Sequence, residues 1–296
     1  MRLVIEAERS GTRTDVLVAR LTGASRSLVA AAIGRGAVTV NGETVKPSRV
    51  LEAGDTLDFE VAAAAKIVAL PEPVDMAILY EDDDLLVVDK PAGMVTHPAH
   101  GTTGGTLLNA LLAHAGSLPG EPLRAGLVHR LDRDTSGLLV VAKTAQSLAT
   151  LRAAMLARTI RRQYLGLVHG IPSPSEGTLN GPIGRDPQNR LRYTILADGR
   201  AAVTHYALRE AYPRHAELLF QLETGRTHQI RVHLAAFGHP IVNDPVYGRP
   251  ESRFALAGQA LHAWRLTFPH PRTQAELSFE ADPPAEYLGA RELLRG

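Results

Sequence analysis

The order of apolar and polar positions divides the chain into a short N-terminal stretch of mixed elements and a longer stretch dominated by strands. Over residues 13–21, Val16, Leu17 and Ala19 follow helical order, and Gly23 ends the run. Ser25 is placed to cap a second helix through Ile33, with Gly34 and Gly36 closing it. Val38-Thr39-Val40, Asn41-Gly42 and Glu43-Thr44-Val45 then read as strand, turn and strand, because Asn-Gly suits a tight hairpin. After the turn signal Gly54-Asp55, Leu57–Val61 alternates as a strand should. Pro71 and Pro73 close a stretch with linker character. We therefore expect a unit at 1–63, a linker at 64–75 and a second unit at 76–296.

In the second unit, apolar runs at 85–88, 138–141, 164–168 and 217–222 predict strands, and residues 106–114, 145–157, 227–237 and 286–295 predict helices. Strands outnumber helices and do not alternate with them regularly. The expected fold class is α+β: a small N-terminal α/β unit, then a larger domain on a mainly antiparallel mixed sheet.

Composition narrows the class. The absence of cysteine excludes disulfides and any thiolate zinc site. No apolar run approaches the roughly 20 residues that cross a bilayer, and Glu6 and Glu8 precede any leader-like stretch, so a cytoplasmic protein without membrane contact is expected. A net charge of +1 hides two asymmetries. Of 32 cations, 28 are Arg, the planar fork suited to phosphates and base edges, although a genome rich in G and C gives the same bias. Residues 135–175 carry five cations and no acid, while 75–89 carry six acids and no cation; residues 13–49 sum to +4. Separated charge of this kind makes a basic face on a nearly neutral molecule.

Two clusters carry candidate chemistry. His129-Arg130-Leu131-Asp132-Arg133-Asp134-Thr135-Ser136-Gly137 forms a polar loop between apolar strands. Thr224–Gly238 contains Thr227 as a candidate helix cap, a buried stripe of Ile230, Leu234 and Phe237, and His228 with Arg231 on an adjacent face. An Arg so placed suits an ionised carboxylate, and Asp132 is a candidate. His-Arg-Leu-Asp is not the kinase His-Arg-Asp, and Thr-Ser-Gly is not a nucleophile elbow. His228, His233 and His239 lack the i, i+4 helical pair of a zinc site, so no metal is expected. Asp82-Asp83-Asp84 reads as a solvated turn. The residues alone define an RNA-binding enzyme that uses an acid.

Residues 13–55 resemble the small RNA-binding domain first described in ribosomal protein S four. The likeness rests on Arg13-Thr14-Asp15, Ser25-Arg26-Ser27, Gly36–Gly42, Lys46-Pro47-Ser48 and Gly54-Asp55, with Thr14 where the family usually has Leu. It implies RNA contacts from Arg13, Arg26, Arg35 and Lys46. Residues 76–270 resemble the RluA/RluD family of RNA pseudouridine synthases through Tyr80–Gly93, His129–Gly137, Arg162-Gln163-Tyr164, Gly225–Arg231, His239-Pro240 and Asp244.

The resemblance implies isomerisation of uridine to pseudouridine in RNA. Large-subunit ribosomal RNA is the expected substrate; transfer RNA, or a catalytically silent role in ribosome assembly, is the alternative. An isomerisation requires no cofactor, and no obligate protein partner is implied. Asp132 maps onto the catalytic aspartate, Arg231 onto the arginine that pairs with it, and Tyr164 onto the tyrosine that stacks on the base. Arg130 maps onto the arginine associated with flipping the nucleotide out. His129, Arg226, His228 and Thr135 stand in the same motifs and are expected to bind substrate, while Asp134 is expected to be structural or solvated.

Overall fold

The computed structural model describes residues 1–61, 67–99, 101–189 and 192–296. The chain divides into two compact units, Met1–Lys66 and Ile67–Gly296. Residues 64–66 of the expected linker lie outside the described residues.

The first unit runs β1 (Arg2–Val4), α1 (Thr14–Thr22), α2 (Arg26–Gly34), β2 (Val38–Val40), β3 (Glu43–Thr44) and β4 (Thr56–Phe59), with sheet order β1-β4-β2-β3. The Ser25 side chain accepts from the Leu28 N–H and caps α2, and Gly23 ends α1 in the left-handed region. Asn41 and Gly42, with φ of 55° and 82°, make the hairpin turn their sequence favours. Leu17, Val18, Val29, Ile33, Val38 and Leu57 form the core. β1 escapes sequence reading because three residues show no periodicity; pairing with β4 makes it a strand. The expected basic face is partly neutralised: buried Asp15 accepts from both Arg13 and Arg26, whose side chains remain 44% and 59% exposed. Arg35 and Lys46 are exposed.

The second unit contains β5 (Ala77–Glu81), β6 (Leu85–Lys90), α3 (Leu107–Ala115), β7 (Ser136–Ala142), α4 (Ala145–Leu156), β8 (Arg161–His169), β9 (Glu176–Asn180), β10 (Ile183–Arg185), β11 (Tyr193–Ile195), β12 (Val203–Ala211), β13 (His215–Leu222), α5 (Gln229–Ala236), β14 (Leu261–Pro269), β15 (Glu276–Glu280) and α6 (Ala285–Arg295). Nine strands form one sheet, ordered β5-β6-β7-β14-β8-β13-β12-β9, with β15 beside β14; β10 and β11 pair separately. Among the described residues the β7–β14 pair is parallel and the other ladders are antiparallel. The sheet is buried on both faces at β6. Leu86 and Val88 enter one core, and Leu85 and Val87 enter another. This explains an apolar run without alternation, each side chain contributing about 1.5–3 kcal/mol by burial.

Two expectations need correction. Asp82 and Asp84 are not a solvated turn. Asp82 accepts from the Tyr80 hydroxyl, the Asp84 and Leu85 N–H groups and His270, while buried Asp84 pairs with Arg272 and accepts from Ser147. Burial opposes ionisation of Asp82, but these hydrogen bonds win and hold its pKa at about 2. The second correction concerns α5. It starts after His228, which sits in the left-handed region with φ of 58° and makes no side-chain cap, so Thr227 is not its cap. The helix is also buried beyond a stripe, because Gln229, Val232 and His233 face inward.

Candidate active site

The loop carrying Asp132 is held from both sides. Buried Lys90 donates from Nζ to the carbonyls of Pro91, Met94 and Arg133 at 2.8, 2.8 and 2.9 Å. The Thr96 hydroxyl donates to Leu131 O at 2.7 Å. The two carbonyls flanking Asp132 are thereby fixed. Burial pushes the Lys90 ammonium down to about 7, against the opposing pull of Asp134, Asp132 and Asp89. The loop enters β7, where Ser136 lies opposite His262 of β14, and His262 lies opposite Leu165 of β8. That register brings the loop's end into line with Tyr164. Gly137 is required here: its φ is 110°, and a Cβ would stand 2.3 Å from Ala263 O.

Helix α5 approaches the same loop. Arg231 is buried and bridges two carboxylates. Its Nε and Nη2 donate to Asp244 Oδ2 and Oδ1 at 2.7 and 2.8 Å, and its Nη1 donates to Asp132 Oδ2 at 3.0 Å. Asp244 is fully buried and also accepts from the Val246 and Tyr247 N–H groups. Asp132 keeps 16% of its side chain exposed. One cation thus serves two anions, a net charge of −1, and Arg231 also lies over the Tyr247 ring at 5.2 Å. His228 Nε2 stands 4.0 Å from Asp132 Oδ1. The Tyr247 hydroxyl accepts from the Tyr193 N–H and shares a 2.9 Å hydrogen bond with His228 Nδ1. Either tautomer of a neutral His228 satisfies that contact, since a hydroxyl can donate or accept there. Burial lowers the His228 pKa, which favours that neutral form.

Asp132, His228 and Arg231 line a cleft of about 670 Å³, together with His129, Arg130, Thr135, Arg162, Tyr164 and Arg226. Tyr164 is 5% exposed, and burial raises its phenol pKa. Arg130 is exposed. His129 turns Nε2 toward the Val140 N–H, leaves Nδ1 buried without a hydrogen bond, and is pushed by burial to about 3, so it is uncharged. The Thr135 hydroxyl accepts from Gln259, and Arg226 Nε donates to Ala201 O. Asp134 is buried beside Arg133. Of the five cations in 135–175, Arg152, Arg158 and Arg162 line the cleft, whereas Lys143 and Arg161 pair with Glu81 and Glu276.

His228, His233 and His239 do not converge. His233 bonds Thr204 and Gly181 O, and His239 bonds His169 O. Sequence reasoning assigned no site role to Lys90, Thr96, Asp244, Tyr247 or Arg162. Asp244 stood among the motif residues that carry the resemblance, with no role attached, and its pairing with Arg231 is a tertiary fact.

Comparison with known proteins identifies the family. Residues 84–236 match the family described as RNA pseudouridylate synthase, and residues 12–57 match the S4 domain. An uncharacterized RNA pseudouridine synthase of Bacillus subtilis is 44% identical over 92% of this chain and 90% of its own. A ribosomal large subunit pseudouridine synthase D of Neisseria meningitidis is 43% identical over 99% of this chain and 81% of its own. The solved structure of human RNA pseudouridylate synthase domain containing 1 aligns with a TM-score of 0.59 at 25% identity, covering 72% of this chain and 85% of that one. The chain belongs to the RNA pseudouridine synthase family and carries an N-terminal S4 domain. It is an enzyme that converts uridine in RNA to pseudouridine.

Proposed function

We propose that the substrate is large-subunit ribosomal RNA and that Asp132 acts at C1′ of a uridine flipped out of its strand. One observation carries the assignment of Asp132: its carboxylate lines an open cleft while a buried guanidinium fixes one of its oxygens at 3.0 Å. Arg231 cannot turn away, because Asp244 occupies its other two donors. Oδ1 is left to meet the sugar, as nucleophile or as base. Reaching C1′ and rotating the base require an extruded nucleotide, at a cost of a few kcal/mol. Tyr164 supplies the surface on which uracil stacks, and exposed Arg130 at the rim takes the vacated place. His129, Thr135, Arg226 and His228 complete the substrate walls. Breaking C1′–N1 and joining C1′ to C5 conserves every atom, so the reaction draws on no cofactor.

The ribosomal target is supported by the relatives named for the large subunit and by the S4 domain, whose exposed Arg13, Arg26, Arg35 and Lys46 suit RNA phosphates. Such a substrate places the enzyme in the cytoplasm. The test is pseudouridine mapping in ribosomal and transfer RNA from cells lacking this protein, complemented with wild type or Asp132→Asn. Loss at defined large-subunit positions, restored by wild type only, is expected. Loss confined to transfer RNA would overturn the ribosomal target, and restoration by Asp132→Asn would remove Asp132 from its role.

A further inference from the structure

We infer that Arg162 is a catalytic residue that takes up the negative charge of the departing uracil. The inference rests on the reading of Asp132 given above. Arg162 is the second residue of β8, two before Tyr164, and lines the same cleft, yet it is only 6% exposed. Its Nε is buried without a hydrogen bond, and no carboxylate pairs with its guanidinium among the described residues. Its two Nη atoms open on the cleft, and a guanidinium so largely withdrawn from water is retained where something else supplies the partner. The chain makes room for it. A Cβ at residue 225 would stand 2.7 Å from Arg162 Nη1, so Gly225 leaves the guanidinium its space against the Gly225–Arg231 segment. Its field acts on both Tyr164 and His129.

The chemistry supplies a fitting anion. When C1′–N1 breaks, the electron pair leaves with N1 and spreads onto O2 and O4 of uracil, while Asp132 meets the electron demand at the sugar. After C5 bonds to C1′, the proton lost from C5 is matched by the proton N1 takes up, and the isomer forms without external reagent. A uracil stacked on Tyr164 lies beside Arg162. The fork of a guanidinium can donate to a uracil oxygen whose charge grows only as the bond breaks. A preorganised donor in a site shielded from water acts on that developing charge. Asp132, Asp244 and Arg231 together carry −1, so Arg231 has no charge to spare for uracil, whereas Arg162 does.

The experiment uses the full chain, RNA containing 5-tritiated uridine, and the variants Arg162→Gln, Arg162→Lys and Asp132→Asn. Three quantities are read: the single-turnover rate at saturating enzyme, RNA affinity with its salt dependence, and the thermal midpoint. For Arg162→Gln we expect a rate loss of about 10²–10³-fold. Affinity and salt slope should stay near wild type, and the midpoint should be unchanged or raised, because a buried unpaired charge has gone. Arg162→Lys should recover part of the rate. A wild-type rate in Arg162→Gln overturns the inference. So does a loss confined to affinity with a shallower salt slope, which would mark a phosphate contact, or a lowered midpoint that accompanies the rate loss, which would mark a structural role. Turnover by Asp132→Asn would sink the underlying reading instead, whatever Arg162→Gln does.

Discussion

Asp132 and Asp244 share one guanidinium, and the structure predicts that neutralising the first costs activity alone while neutralising the second costs stability as well. Asp132 is partly exposed and holds Arg231 through a single 3.0 Å bond. In Asp132→Asn the amide oxygen can still accept that bond, and Arg231 keeps its two bonds to Asp244. The stability change should stay within about 1 kcal/mol, the net worth of an ordinary hydrogen bond, while activity disappears. Asp244 is fully buried and accepts two bonds from Arg231 at 2.7 and 2.8 Å, with two backbone amides also on Oδ1. Asparagine there sets an N–H against a donor in one of those contacts. The loss of one charge-assisted bond is about 1.5–3 kcal/mol, and Asp244→Ala should approach the ~3–5 kcal/mol of a broken buried pair. At about 2–4 °C per kcal/mol for a unit of this size, Asp244→Asn should melt roughly 3–12 °C lower. Arg231 is then free to close on Asp132 and displace its carboxylate, at a cost near 10²-fold in rate for an ångström of misplacement. Thermal melts and single-turnover tritium release, both below the variant's melting range, test the pair. Equal destabilisation by the two asparagine variants, or a wild-type rate and midpoint in Asp244→Asn, would refute the shared-guanidinium account.

Other outcomes follow from single features. Gly137→Ala forces a side chain at φ of 110° with its Cβ 2.3 Å from a backbone oxygen; strain alone is about 1–3 kcal/mol, so the variant should melt well below wild type or fail to accumulate. Burial depresses His97 to about 4 and His129 to about 3, whereas both return to their ordinary value near 6.5 on unfolding. The unfolded chain binds more protons below that value. Stability is therefore full above pH 6.5 and falls by up to about 1.4 kcal/mol per pH unit for His129, and by less for the half-buried His97, as pH drops toward 4, which urea midpoints at neutral and acid pH will read; a flat profile contradicts it. In the S4 domain, Arg35→Ala with Lys46→Ala should weaken RNA binding and reduce the salt slope by about 1.4–1.8, two phosphates' worth. An unchanged slope would remove these residues from the RNA contact.

Local chemistry determined the elements whose residues act within a few positions of one another. Ser25 caps α2 through Leu28, Asn41-Gly42 turns the hairpin, and unbroken apolar runs form β6, β7 and β8. Motif resemblance in turn placed Asp132, Tyr164 and Arg231 in one site. Strand β9 was illegible because its residues are alternately exposed and half-buried, and β12 because polar Thr204 and His205 break its apolar pattern, so their neighbours make them strands. Charge counting gave the net charge of the N-terminal stretch but not its pairing, in which Asp15 meets Arg13 two residues away and Arg26 eleven residues away. The site's finer balance was likewise decided in three dimensions. Arg231 reaches Asp132 over 99 residues, Lys90 reaches Arg133 over 43, and Arg162 Nε is left buried without a partner among the described residues. Charge pairing depends on distance through space and on exclusion of water, and the chain specifies both only after its sheet has closed.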